Sequence, residues 1–429
     1  MIHKAASANH NIASKTQKEQ WRLLIREPLS KLEAGSLQLP LVLVIDALDE
    51  CEDDNDIRRI LDLFFEAKAL ETVRLRIFVT SRPQTPIRLK FHKFPGIFHQ
   101  DLILHEIPQK TKDRDILVFF EHRFGAIRNE SDDLSDDWPG RECIDKLVST
   151  AHGLFIYAAT VCRFIENGIY DFPADDLLRL VLPEESTANT SRQRSGNIAT
   201  YESPTQVLDM MYTHALEHSL RNARHEKDKE QLAGICRQVL SAVVILFDPL
   251  SPIALAKILD IDDGIVRKRL NSLRSILDVP DKQECSIRLL HPSFRDFLLD
   301  DKRCRTQQFW VEEKKAHSAI VDCCVRLMSD QLRRDICGLN AAGALARDVQ
   351  GDVINHCLPA ELQYACLYWV RHLQKSEAAL SDNGFVYAFL CQHLLHWLEA
   401  MSLIRKTSEV VRAITSLESI AKVSTVLPP

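Results

Sequence analysis

The chain has 429 residues, 45% hydrophobic and 27% charged, with 54 Lys+Arg against 60 Asp+Glu and a formal net charge of −6. That apolar content can build cores and excludes wholesale disorder; the length suggests about three domains. The acidic balance excludes a global basic field for nucleic acid or anionic lipid, and 13 Gly with 17 Pro exclude collagen-like or Gly-rich designs.

Residues 1–20 are polar and read as a disordered lead-in without a secretory signal. From Trp21 to Glu33 the apolar residues Trp21, Leu24, Ile25, Leu29 and Leu32 recur at helical spacing, with Pro28 placed to bend or split the helix. Leu39–Ile45 (LPLVLVI) reads as a strand buried on both faces of a parallel sheet. An amphipathic helix is expected over Asp56–Leu70, and Leu75–Thr80 (LRIFVT) is a second buried strand. Strand, helix, strand makes a right-handed βαβ unit. Leu102–Ile107 offers a last strand, Lys112–Phe124 and Cys143–Asn167 are helical by period, and the polar stretch 186–206 reads as a linker. Beyond Val207 helices dominate. Ser251–Leu259 and Gly264–Leu277 are two short helices, and Ile276–Val279 with Ser286–Leu290 flank a hairpin, a winged-helix plan. Arg295 to the end is helical, carrying Trp310, Trp369 and Trp397.

The 12 cysteines show no C-x-x-C spacing, and Cys323–Cys324 is the only close pair in the sequence. They read as reduced cytoplasmic thiols packed as small hydrophobes. No apolar run reaches the ~18 residues of a membrane span. No Cys/His/acid spacing suggests zinc, and no internal repeat of 20–50 residues is visible.

The chemistry concentrates in LVLVIDALDEC, Leu41 to Cys51. Ligands of open parallel sheets bind beyond the carboxyl ends of the strands. Asp46 stands at such a tip, where a carboxylate can hold hydrated Mg²⁺ through oxygen. Asp49 and Glu50, on the following turn, can orient or deprotonate a water attacking a γ-phosphate. The second strand ends in Thr80-Ser81-Arg82-Pro83. Arg82 is expected on the same rim as Asp46, its guanidinium facing phosphate oxygens.

LVLVIDALDEC, RIFVTSRPQTPIRLKF, AHGLFIYAATVCRFIENG and LLHPSFRDFLLD together resemble the NACHT class of signal-transducing STAND NTPases, the fungal incompatibility-type receptors most of all. The resemblance implies that Asp46 is the Walker B magnesium residue, acting through water, and that Asp49 and Glu50 are the acidic pair of hydrolysis. It implies that Arg82 senses the γ-phosphate and that His291 contacts the ADP β-phosphate. Gly153-Leu154-Phe155 falls where relatives carry a Gly-x-Pro loop against adenine, with Phe155 replacing the Pro. The implied cofactors are ATP or ADP with Mg²⁺.

The phosphate cradle of that class, G-x-x-x-x-G-K-[ST], occurs nowhere in the 429 residues. Its backbone N–H nest and Lys supply most of the phosphate grip. The expectation is therefore weak or absent ATP binding by this chain alone, either because a half-site has been lost or because a longer protein supplies it. The fold class expected is α/β (a partial P-loop NTPase-type parallel sheet) followed by mostly α domains including a winged helix. The divisions are a lead-in 1–20, a partial NACHT core 21–108, a helical domain 109–185, a linker 186–206, a winged-helix domain 207–303 and a helical domain 304–429. The leading function is a switch or scaffold module acting through protein partners or self-association, with no membrane and no nucleic acid. One alternative is an active ATP- or GTP-hydrolysing NTPase. Another is a DNA-binding regulator reading through Arg267, Lys268, Arg269 and Arg274.

Overall fold

The computed structural model describes residues 2–9, 12, 15–31, 41–51, 54–67, 74–82, 85–92, 99–130, 134–168, 173–182, 204–220, 226–282, 284–304, 308–340, 346, 349–378, 380 and 384–426. The chain divides into two compact units, Met1–Glu106 and Ile107–Pro429.

In the first unit, β1 (Leu41–Ile45) and β2 (Leu75–Val79) pair in parallel, from Leu41↔Leu75 to Ile45↔Val79. Their β-branched and aromatic runs suit a pleated surface. Helix α4 (Asp54–Glu66) is the crossover and α5 (Thr85–His92) packs beside it. Leu48, Ile57, Leu61 and Ile87 form the core, with Ile45 and Val79 packed against it. The strands are not buried on both faces as the continuous apolar runs suggest. Burial alternates along each, leaving Val42 55%, Val44 62% and Phe78 55% exposed. The reason is that α4 and α5 cover only the side that carries Ile45 and Val79.

The lead-in is not uniformly disordered: α1 (Ile2–Ala8) and α2 (Gln17–Trp21) lie within or across it. Glu19 N–H donates to Thr16 Oγ1 at 3.3 Å and Thr16 N–H to Glu19 Oε2 at 3.4 Å. This capping box starts a helix too short to show a period. Trp21 and Phe64 bring α2 onto α4, ring centroids 5.9 Å apart. Pro28 does not split the helix: the helical run is continuous from Gln17 to Ser30, a π-helical stretch over Arg22–Arg26 leading directly into α3 (Glu27–Ser30), which carries Pro28.

Leu102–Ile107 forms no strand. Leu104–Glu106 is a 3₁₀ turn closed by Glu106 N–H to Ile103 C=O at 3.1 Å, and Leu102 and Leu104 are 76% and 68% exposed. Apolar character alone makes no ladder where no partner strand lies alongside.

The second unit is helical. It comprises α6 (Gln109–Asn129), α7 (Arg141–Ala151), α8 (Phe155–Gly168), α9 (Ala174–Val181), α10 (Pro204–Ser219) and α11 (Glu226–Ile245). There follow α12 (Pro252–Leu259), α13 (Asp263–Asn271), β3 (Leu277–Asp278), β4 (Arg288–Leu289) and α14 (Pro292–Leu299). The chain continues through α15 (Glu313–Gln331), α16 (Gly351–Cys357), α17 (Ala360–Ser376), α18 (Phe385–Leu403) and α19 (Thr407–Val426). One contiguous core runs from Ile116 to Val410. The single helix expected over Cys143–Asn167 is two, because His152 (φ 47°) and Gly153 (φ 82°) turn left-handed between α7 and α8. Residues 186–203 of the expected linker lie outside the described residues, and 204–206 open α10. Ser251 caps α12 and Asp262 caps α13 through side-chain oxygens. β3 and β4 pair antiparallel, Leu277 opposite Leu289. No helix among the described residues is long and apolar enough to cross a membrane.

Candidate functional site

The parallel register carries past the strand ends. Thr80 N–H donates to Ile45 C=O at 2.9 Å and Leu48 N–H to Thr80 C=O at 3.0 Å, so Thr80 stands beside Asp46. The Thr80 hydroxyl donates to Asp46 Oδ1 and accepts the Ala47 N–H at 2.8 Å. Ala47 is left-handed (φ 53°), turning the chain into the short 3₁₀ turn Leu48–Glu50, anchored by Leu48 at 2% exposure. Asp49 Oδ1 accepts the Arg82 backbone N–H at 2.9 Å, and Arg82 Nε lies 3.7 Å from Asp49 Oδ2.

Asp46, Asp49 and Arg82 therefore share one rim, with Glu50 exposed on the same turn. Asp49 is committed to Arg82: its side chain is 9% exposed against 46% for the arginine. That ion pair holds the two strand-end loops together and aims Arg82. Asp46 and Glu50 present carboxylates to solvent. Oxygen donors at a solvent-facing strand tip suit a hydrated Mg²⁺. No group of three or more His, Cys, Asp or Glu among the described residues converges as a metal cage. Such an ion would rest on Asp46, water and the ligand's own oxygens.

His291 and Phe155 belong to the second unit. His291 is the N-cap of α14: its Nδ1 accepts the Ser293 N–H at 3.1 Å and lies 2.7 Å from Ser293 Oγ. Ser293 Oγ in turn lies 2.7 Å from Tyr212 Oη on α10, and burial pushes that phenol up. An accepting Nδ1 places the proton of the neutral imidazole on Nε2. Phe155, first residue of α8, is 46% exposed and meets Phe119 edge-on at 6.2 Å. Before it, a Cβ on Gly153 would come within 3.1 Å of Gln109 Nε2, so this left-handed turn sits tight against α6.

Of the basic residues of 264–277, Arg269 is turned inward, Arg267 and Arg274 pair with neighbouring side chains, and Lys268 is exposed. Arg269 is 3% exposed and donates to Ser219 C=O at 3.1 Å. Arg267 Nη2 approaches Asp263 at 3.3 Å, and Arg274 pairs with Asn271 at 3.2 Å and Asp281 at 2.7 Å. A DNA-reading helix would need these guanidiniums outside.

Sequence reasoning assigned no role to Thr80 or Tyr212. Thr80 was detectable as the hydroxyl directly after the second strand; Tyr212 was not, being 81 residues from Ser293. A buried relay was also missed. Phe247 N–H donates to Tyr364 Oη at 3.1 Å, Tyr364 Oη lies 2.8 Å from His372 Nε2, and His372 Nδ1 lies 2.7 Å from His317 Nδ1. Burial chiefly lowers both imidazoles, His372 to about 3 and His317 to about 4. In each His contact of this relay one partner donates and the other accepts, the neutral His372 imidazole carrying its proton on either the Tyr364 or the His317 side.

Residues 1–82 match the family described as Nephrocystin 3, N-terminal. That match and the one that follows bear out the resemblance to NACHT-like STAND NTPases. Over 422 residues it is 26% identical to Vegetative incompatibility protein HET-E-1 of Podospora anserina, a similarity that spans 93% of this chain and 28% of the relative's length.

Proposed function

We propose that the chain is a signalling switch or scaffold module of the NACHT type, whose own residues supply the metal and γ-phosphate side of a nucleotide site and little of its phosphate grip. The observation that carries this is the shared rim of Asp46, Asp49 and Arg82. On this reading Asp46 holds hydrated Mg²⁺, Glu50 orients an attacking water, Arg82 faces phosphate oxygens, and Asp49 fixes Arg82. Bound Mg²⁺ would neutralise phosphate charge. Affinity stays low because the 429 residues contain no G-x-x-x-x-G-K-[ST] string to cradle the phosphates.

The stretch 207–303 is read as a winged-helix module, from the α12–α13 pair, the β3–β4 hairpin and α14. For His291, at its last cap, and Phe155 the reading keeps the roles the resemblance implies, a phosphate contact and an adenine contact; Phe155 presents a flat apolar face suited to a base. Within the same reading 21–108, 109–185 and 304–429 are the NACHT core, helical and C-terminal divisions. A DNA-binding role finds less support, since Arg269 is buried and Arg267 is paired with an acid.

The test is calorimetric titration of the purified chain with ADP and with ATP in excess Mg²⁺. No saturable heat is expected up to about 1 mM nucleotide. Saturable binding together with turnover lost in Asp46→Ala and Glu50→Ala would instead establish an active NTPase.

A further inference from the structure

On one turn of α18 two imidazoles aim ring nitrogens at each other. His393 and His396 are half-exposed, and their Nδ1 atoms lie 3.3 Å apart. Positions three apart share a helix face. The His393 ring is held in place: it stacks on Phe389, itself 2% exposed, with centroids 5.8 Å apart and planes 7° from parallel. His396 meets the His393 ring edge-on at 5.4 Å and is followed by Trp397, which is sealed in the core. A hydrogen bond from an N–H ordinarily spans about 2.7–3.2 Å. Two nitrogens bound at about 2.0–2.1 Å to one tetrahedral ion stand about 3.3–3.4 Å apart. The spacing of His393 and His396 falls at this second distance, on a face that solvent reaches. His317 and His372 are the contrast. Their Nδ1 atoms are 2.7 Å apart, a hydrogen-bond length, and both rings are buried.

We propose that His393 and His396 form a site for a divalent transition ion of the Zn²⁺ type, chelated by the two Nδ1 atoms with water in its remaining positions. The site goes beyond the nucleotide function and is independent of it. Imidazole nitrogen is a preferred donor to Zn²⁺. With the protons of both neutral rings on Nε2, both Nδ1 lone pairs face the metal. Among the described residues no third donor joins them. Glu399, one turn further on, already accepts the N–H groups of Asp335 at 3.2 Å and Ile336 at 3.3 Å. Cys391 is an exposed thiol two residues before His393, a spacing that does not share its helix face. This agrees with the absence, among the described residues, of a three-membered His, Cys, Asp or Glu cluster. Two protein ligands and a shell completed by water make the ion exchangeable, unlike the closed four-ligand shell of a structural site. Binding staples this part of α18. The folded helix holds both imidazoles at chelating distance and the opened helix does not, so the ion favours the folded form. H-x-x-H spacing alone does not specify a metal; the facing of the two rings does.

The experiment uses the full chain, stripped with a chelator and titrated with Zn²⁺ alone by calorimetry. Saturable binding is expected, weakened at least about tenfold in His393→Ala and in His396→Ala and unchanged in Cys391→Ser. A second measurement on the wild-type chain needs no variant to fold. At free Zn²⁺ about tenfold above its dissociation constant, hydrogen–deuterium exchange of peptides from α18 should slow roughly tenfold, with α17 peptides unchanged. Absence of saturable binding, binding that survives both histidine variants, binding lost in Cys391→Ser, or α18 exchange that Zn²⁺ leaves unchanged overturns the proposal.

Discussion

Thr80→Val tests whether one hydroxyl organises the strand-tip rim. The substitution keeps the side-chain shape and removes two bonds, one to the Asp46 carboxylate and one from the Ala47 N–H. Asp46 is exposed, so water replaces its lost donor and the cost there is about 1 kcal/mol. The Ala47 N–H is partly buried in a left-handed residue, and stranding it costs about 1–2 kcal/mol. The sum is about 2–3 kcal/mol of local opening, read as a roughly 30- to 150-fold faster amide exchange. The assay is hydrogen–deuterium exchange by mass spectrometry on peptides spanning Leu41–Cys51, with peptides of α17 as the internal reference. Thr80→Ser, which keeps the hydroxyl, should exchange within about threefold of wild type. Equal exchange in Thr80→Val and Thr80→Ser would refute the assignment of the rim to this hydroxyl.

Acid should weaken the second unit through the buried relay. His372 and His317 are held at about 3 and about 4, so the unfolded chain takes up their protons first. Their contribution is complete above about pH 6.5, declines as pH falls, and by pH 5 has lost about 2 kcal/mol for each imidazole. Melting curves at pH 7.5 and 5 should show this drop, and His372→Gln should shrink it; an unchanged slope in the variant contradicts the relay. Lys257→Met leaves the Glu361 carboxylate, 3% exposed, without the ammonium now 2.6 Å away. Because Lys257 itself is half exposed the loss is about 2 kcal/mol, seen as a lower urea midpoint, with Glu361→Gln in the same background restoring part of it. Trp397→Ala removes a ring of 0% exposure that packs edge-on to Trp369 at 5.8 Å and donates to Cys366 C=O at 2.9 Å. It should cost about 3–5 kcal/mol by chemical denaturation, and Trp397→Phe distinctly less.

What the sequence made legible was what is local and periodic. LVLVI and LRIFV announced two strands, and the Asp and Arg after them announced one rim, because in a parallel pair both carboxyl ends point the same way. Burial was misjudged, since a continuous apolar run does not say whether helices cover one face or two; Val42 and Val44 are open. The role of Asp49 was hidden as well. A carboxylate beside a tip residue looks free to act on water until the fold brings the Arg82 backbone N–H to it. Arg269, which the sequence offered as a DNA contact, turns inward to Ser219, a contact 50 residues away that no periodicity encodes. The pairing of His317 with His372 depends on how α15 and α17 stack, which local spacing does not determine.

Helix α10 is gripped at both ends of α14. In the first turn of α14 Ser293 meets Tyr212 and links it to the His291 cap; beyond its end Arg303 clasps Asp209 with contacts of 2.8 and 3.2 Å. Tyr212 also lies against Phe294 and Phe297, 5.0 and 5.5 Å away. Tyr212 thus fastens α10 to α14 itself, and Arg303 fastens it to the chain just beyond α14. Whatever tugs on the imidazole at position 291 therefore drags α10 with it, and a touch at one atom becomes the displacement of a four-turn rod.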